Sequence, residues 1–180
     1  MKIDVTRIIV AQIHTMKDNS TQRYSVIDLI VFYGLPVLLG AAAAYYGWKF
    51  NSDVLNALLA AFSIFAGLLL NLLILVYTFS SQAEHPPALA RIRMTLIKEL
   101  HDNIAYSILV SIVIVVVTMI TVAYLKMHEK PPEAAFTGRW VTGIVIFLTM
   151  NFVLTLLMIL KRIYIMLNQT IDKPFIKKVA

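Results

Sequence analysis

The chain is 180 residues long, 59% hydrophobic and only 14% charged, with a mean hydropathy of +0.78 and a formal net charge of +6. That composition is far from the soluble average and points to a helical membrane protein, in which four spans and their loops use nearly the whole length and leave no separate soluble domain. Cysteine is absent, which excludes disulfides, thiolate chemistry and cysteine-held metal or iron–sulfur centres.

The first 28 residues lack the continuous apolar core and small-residue cleavage site of a signal peptide. Val5, Ile9, Ile13 and Met16 recur at helical spacing, with Asp4, Arg7, His14 and Asp18 on the other side. The spacing predicts a cytoplasmic amphipathic helix that ends at Asn19-Ser20 and lies in the membrane interface or against the spans. A first span is expected over about residues 29–48. Pro36 should kink it. Gly40, Ala41 to Ala44 and Gly47 make its outer half thin enough for close backbone approach to a neighbour, and Tyr45, Tyr46 and Trp48 form an interfacial aromatic belt.

The second span, 54–79, is the strongest signal in the chain. Val54 to Phe79 is a 26-residue run without a charge, about 39 Å of helix against about 30 Å of hydrocarbon. Asn56, Ser63, Gly67 and Asn71, spaced by seven, four and four, share one face of it. Such a stripe must meet protein or water, since an unpartnered amide in hydrocarbon costs several kcal/mol. The short link Lys49 to Asp53 predicts an antiparallel hairpin with the first span.

Pro86-Pro87 suits a helix start. A cytoplasmic helix over 87–103 then runs without a breaker into a third span, 104–125. Asn103, Ser107, Ser111 and Thr118 occupy one face and are expected to point inward. After a loop carrying Pro131 and Pro132, a fourth span covers 140–160, with Thr149, Asn151 and Thr155 as its polar members. Helix should continue for a turn or two before Asp172-Lys173-Pro174, within a basic tail over 161–180. The fold class is therefore an all-α bundle of four transmembrane helices in two hairpins. Twelve Lys and Arg fall on the side of both termini and the second loop, against four on the other. The positive-inside rule places both termini in the cytoplasm.

Little in the sequence points to catalytic chemistry. His14, His85, His101 and His128 lie in four different segments, and His101 with Glu99 and Asp102 is read as solvated surface rather than a metal site. No HExxH, phosphate-cradling loop, nucleophile elbow or dinucleotide fingerprint occurs, so neither an enzyme nor a cofactor is expected. No span holds a charge, unlike the spans of pumps, proton-coupled transporters and voltage sensors. Two readings of the membrane-depth polar groups stay open. They are helix-to-helix contacts, or they line a water-filled path shared by several subunits, most simply a tetrameric ring, with Asn71 the favoured lining residue. The cytoplasmic Arg91, Arg93 and Lys98, joined by Arg7, Lys17 and Arg23, form a candidate site for an anionic nucleotide or oligonucleotide or a cytosolic protein, with lipid headgroups as the bland alternative.

The stretches SIFAGLLLNLLILVYTF and LIKELHDNIAYSILVSI, in a short four-span chain with a basic cytoplasmic helix, resemble small membrane proteins of bacterial antiphage defence systems, such as the Kiwa membrane subunit and the Hailong membrane effector. The resemblance covers mainly the second and third spans and brings no catalytic motif. It implies an oligomeric inner-membrane protein held inactive, or recruited, by a cytoplasmic nucleotide ligand or protein partner. The expected function is an effector that forms or gates a membrane-permeabilising path. The alternative is a non-conducting anchor or sensor that docks a cytosolic protein, and a small transporter subunit is a third reading.

Overall fold

The computed structural model of the chain describes residues 5–14, 30–81, 87–127 and 138–171, and among these every regular element is helical. In chain order they are α1 (Val5–His14), a π turn over Ile30–Gly34 that leads directly into α2 (Leu35–Tyr45), α3 (Ser52–Ser81), α4 (Pro87–Met127) and α5 (Arg139–Ile171). Three stretches are long and apolar enough to cross a membrane: Ser52–Thr78, Leu96–Met127 and Arg139–Ile165. The segment Ile30–Tyr45 is apolar but shorter, about 24 Å at the α-helical rise and therefore less than the hydrocarbon thickness by itself.

Local chemistry sets the element ends. The π turn breaks the helix just ahead of Pro36, which occupies the first turn of α2 where its missing N–H is tolerated. At the other end of α2, Gly47 takes a φ of +68°. This lets the Gly47 and Trp48 N–H groups return to the Ala44 and Ala43 carbonyls, at 3.4 and 3.0 Å, a glycine-capped C-terminus. The Asn51 side chain accepts from the Asp53 and Val54 N–H groups and caps the start of α3. Helix α4 begins at Pro87 and is unbroken for 41 residues, about 62 Å, twice the hydrocarbon thickness.

The helices pack in the lateral order α3–α4–α5–α2, with α1 resting on α4. Leu55, Phe62, Leu69 and Val76, seven residues apart, are buried along one edge of α3. A seven-residue repeat is the seam of a left-handed coiled-coil packing, and it lies against α4. Ile104, Ile108 and Ile114 of α4 and Phe152 and Ile159 of α5 complete the core. Phe62 and Phe65 meet Phe152 with ring centroids 5.0 and 5.6 Å apart. Contacts beyond their buried area add about 0.5–1.5 kcal/mol per aromatic pair.

The first hairpin is corrected in its packing. Short as the 46–51 link is, α2 makes no helix–helix contact with α3 among the described residues and docks on α5 instead. The reason is the glycine pair. A Cβ on Gly40 would lie 2.7 Å from the Gly143 carbonyl oxygen, and one on Gly143 would lie 2.7 Å from that of Gly40. Two bare backbones so close gain dispersion and weak Cα–H···O contact that an ordinary helix pair cannot reach. Helix α1 turns a different face to α4 from its apolar stripe. Ile8 packs on the core and Gln12 is 1% exposed, whereas Ile9, on the expected apolar stripe, is 40% exposed.

Candidate functional site

Side-chain chemistry decides which membrane-depth polar groups need a partner. A serine or threonine hydroxyl can donate to the carbonyl one turn back on its own helix. Ser63 does so to Leu59 at 2.7 Å, Ser111 to Ser107 at 2.9 Å, Thr118 to Ile114 at 2.7 Å and Thr155 to Asn151 at 2.9 Å. A carboxamide has two donor hydrogens and an acceptor, more than its own turn satisfies. The asparagines are therefore the informative residues.

On α4 and α5 the polar groups turn inward. Asn103, Ser107, Ser111 and Thr118 are fully buried, as are Thr142, Asn151 and Thr155. Asn151 is used from both ends: its Oδ1 accepts from the Tyr106 hydroxyl at 2.8 Å, and its Nδ2 donates to the Phe32 carbonyl at 3.3 Å. The Tyr33 side chain adjoins that of Tyr106 and extends the polar chain. The Phe32 carbonyl is informative because, in an unbroken α-helix, its partner would be the N–H of residue 36, which is proline.

On α3 the pattern is reversed. Asn56, Ser63, Gly67 and Asn71 are all exposed on the face opposite the Leu55–Val76 seam, and Ala60 and Thr78 continue the same stripe. A Cβ on Gly67 would meet nothing within 4 Å. The Asn56 and Asn71 amides have no hydrogen-bond partner among the described residues. Asn71 lies six residues from the exposed Tyr77, about 9 Å deeper along the helix. The exposed Tyr45, Tyr46, Trp48, Tyr124 and Trp140 sit near the helix ends that meet the 46–51 and 128–137 connections, and Tyr77 and Tyr164 near the opposite ends. Trp140 and Tyr164 are 24 positions apart on α5, about 36 Å, which fits two interfacial rows around a hydrocarbon layer.

At the Tyr164 end, Arg162 Nη2 lies 3.4 Å from Glu99 Oε2, with side chains 12% and 19% exposed. This pair ties α5 to α4, and sequence reasoning assigned Arg162 only to the basic tail. Partial burial places its worth between that of an exposed and a buried pair. Glu99→Gln and Arg162→Met should each lower thermal stability in detergent by about 1–2 kcal/mol, and the double variant by clearly less than their sum. Additive losses would show that the two side chains do not interact.

The cationic residues are less gathered. Lys98 is exposed on α4. Arg91 and Arg93 are also on α4 and Arg7 on α1, but these three side chains lie outside the described residues, as do Lys17 and Arg23 altogether. His101 Nδ1 and Asp102 Oδ1 are 3.4 Å apart at the surface, and among the described residues no third ligand joins them. Sequence reasoning missed Tyr33, Tyr106 and Gly143. Pro36, four residues after Phe32, was the available signal for an orphaned carbonyl. Comparison with protein-family models, with curated proteins and with solved structures returns no match.

Proposed function

We propose that the chain is a homo-oligomeric membrane effector whose α3 faces, brought together around a common axis, form or gate a permeabilising path. One observation carries this reading. Two helices of the chain bury their membrane-depth polar groups, and the third turns Asn56 and Asn71 outward with their amides unpartnered among the described residues. Facing lipid, each amide would carry an uncompensated desolvation cost. Facing copies of itself or a file of water, it is satisfied. In this reading there are four crossings, the first made by α2 with the residues preceding it. Both termini lie in the cytoplasm, the membrane is a bacterial inner membrane, and the assembly is a closed ring, a tetramer in this reading.

The long α4 and the α1 helix resting on it are the parts through which a cytoplasmic signal would act. An anionic nucleotide or a protein bound near Arg91 and Arg93 would bias the position of α4 and with it the α3 seam that α4 carries. An antiphage setting agrees with the resemblance of the second and third spans. A second reading rests on that same lever: α4 begins at Pro87, nine residues ahead of its apolar stretch Leu96–Met127, as suits a non-conducting anchor for a cytosolic protein.

Purified protein in planar bilayers separates the two. The effector reading expects discrete conductance, with an oligomer as the dominant mass in native spectrometry. A monomer, or silence with and without added oligonucleotide, removes it and leaves the anchor. Arg91→Glu with Arg93→Glu should abolish any response to the anion, and an unchanged response removes the anion site.

A further inference from the structure

Helix α2 is held in two places by contacts of different strength. Its outer half is fixed to α5 where Gly40 and Gly143 bring two backbones together, a packing that leaves no room for sliding. Its inner extension, the π turn Ile30–Gly34, packs its backbone on α5 and on its own continuation α2 among the described residues, and meets α4 only through the Tyr33 side chain at Tyr106. Between the two stands Pro36, which removes one rung of the ladder and uncouples the halves. The Phe32 carbonyl, whose partner in an α-helical register would be the N–H that Pro36 lacks, accepts from Asn151 Nδ2, 119 positions away in the chain, while the Tyr106 hydroxyl holds Asn151 through Oδ1.

We propose that Pro36 and Asn151 form a hinge and latch. The inner end of the first apolar helix swings about Pro36 between a latched position on α5, held by the Asn151–Phe32 hydrogen bond, and a released one, while the Gly40–Gly143 crossing stays closed in both. Asn151 and Tyr106 are positioning residues for this motion. The π turn is where the N-terminal arm joins the helices, so release of the latch is a route by which a pull on α1 reaches the bundle. The inference does not depend on conduction and stands if the protein proves to be a silent anchor.

The absence of cysteine allows the test in otherwise unmodified chain. Spin labels at Ile30→Cys with Trp140→Cys report the inner end, and labels at Leu38→Cys with Leu160→Cys report the outer half; all four positions are exposed. The labelled chain is reconstituted in lipid with excess unlabelled chain, so that only distances within one chain are read by pulsed electron resonance. With Asn151 present both pairs should give one dominant distance. Asn151→Leu should add a second distance to the inner pair alone, with the released-to-latched ratio raised roughly three- to tenfold, the weight of one hydrogen bond. Tyr106→Phe should act in the same direction and less. Pro36→Ala restores the N–H that an α-helical register directs at Phe32 and lets the helix run unbroken, so combining it with Asn151→Leu should return the inner pair to a single distance. The proposal is overturned if Asn151→Leu leaves the inner pair unchanged or broadens both pairs alike, or if Pro36→Ala fails to rescue it.

Discussion

Gly143→Leu is expected to abolish the folded chain, and Gly143→Ala to cost about 1–3 kcal/mol, the range for forcing extra atoms into a packed interior. The added Cβ would sit 2.7 Å from the Gly40 carbonyl oxygen and 3.2 Å from the Ala44 Cβ. The first of these neighbours is backbone, so no rotamer change relieves it and the axes of α2 and α5 must part. Parting them removes the one firm attachment of α2, since among the described residues α2 has no packing partner other than α5 and its own π turn. Gly40→Leu should match it, because the approach is reciprocal. Gly67→Ala is the internal control: its Cβ would meet nothing within 4 Å, and replacing glycine in a helix interior gains about 0.5–1 kcal/mol. Melting in detergent checks all four. Equal melting of Gly143→Leu and the parent would mean that α2 is not seated as described.

What could be read in advance follows from how each element is stabilised. Helix α4 is legible from Pro87 onward because a proline pair suits a helix start and no breaker interrupts the next forty positions. The thin small-residue part of α2 is legible from Gly40 and the alanines. Its partner is not, because a short link at 46–51 favours the next helix in sequence, whereas the Gly40–Gly143 approach stabilises α2 against the last. On α1 the apolar stripe through Ile9 points to a packing face, yet Gln12 is buried and Ile9 exposed. Beside a membrane, an apolar face has two suitable neighbours, lipid and protein, and periodicity does not choose between them. The same ambiguity governs α3. The stripe Asn56–Asn71 is visible by spacing, but the direction it faces is not. Nearly every other residue of that helix is apolar, so the buried Leu55–Phe62–Leu69–Val76 edge carries no compositional mark. The latch at Asn151 needs an encounter between residues 119 positions apart, which a single sequence does not contain.

Asn71→Leu should leave the folded chain as stable as before and remove its function, whereas the same change at Asn151 should do the opposite in kind. Asn151 is buried, with two hydrogen bonds to lose and the Phe32 carbonyl and Tyr106 hydroxyl to strand, a cost of about 1–3 kcal/mol for each group left unpaired in the interior. Asn71 is exposed, with no partner among the described residues, so truncating its amide removes nothing from within the chain. Its effect appears only between chains. If α3 lines a water-filled path, a ring of leucines at this depth dewets it, and conductance in planar bilayers should fall by at least about tenfold with the melting temperature of the monomer unmoved. Asn71→Gln keeps the amide and should retain conductance, and Asn56→Leu, one turn inside the start of α3, should act more weakly because interfacial water reaches it. If the amides only join helices, Asn71→Leu instead weakens assembly by roughly 0.6–2 kcal/mol for each amide removed, lowering the oligomeric mass without silencing the oligomers that remain. A stable, assembled and fully conducting Asn71→Leu would mean that the outward face of α3 serves neither purpose.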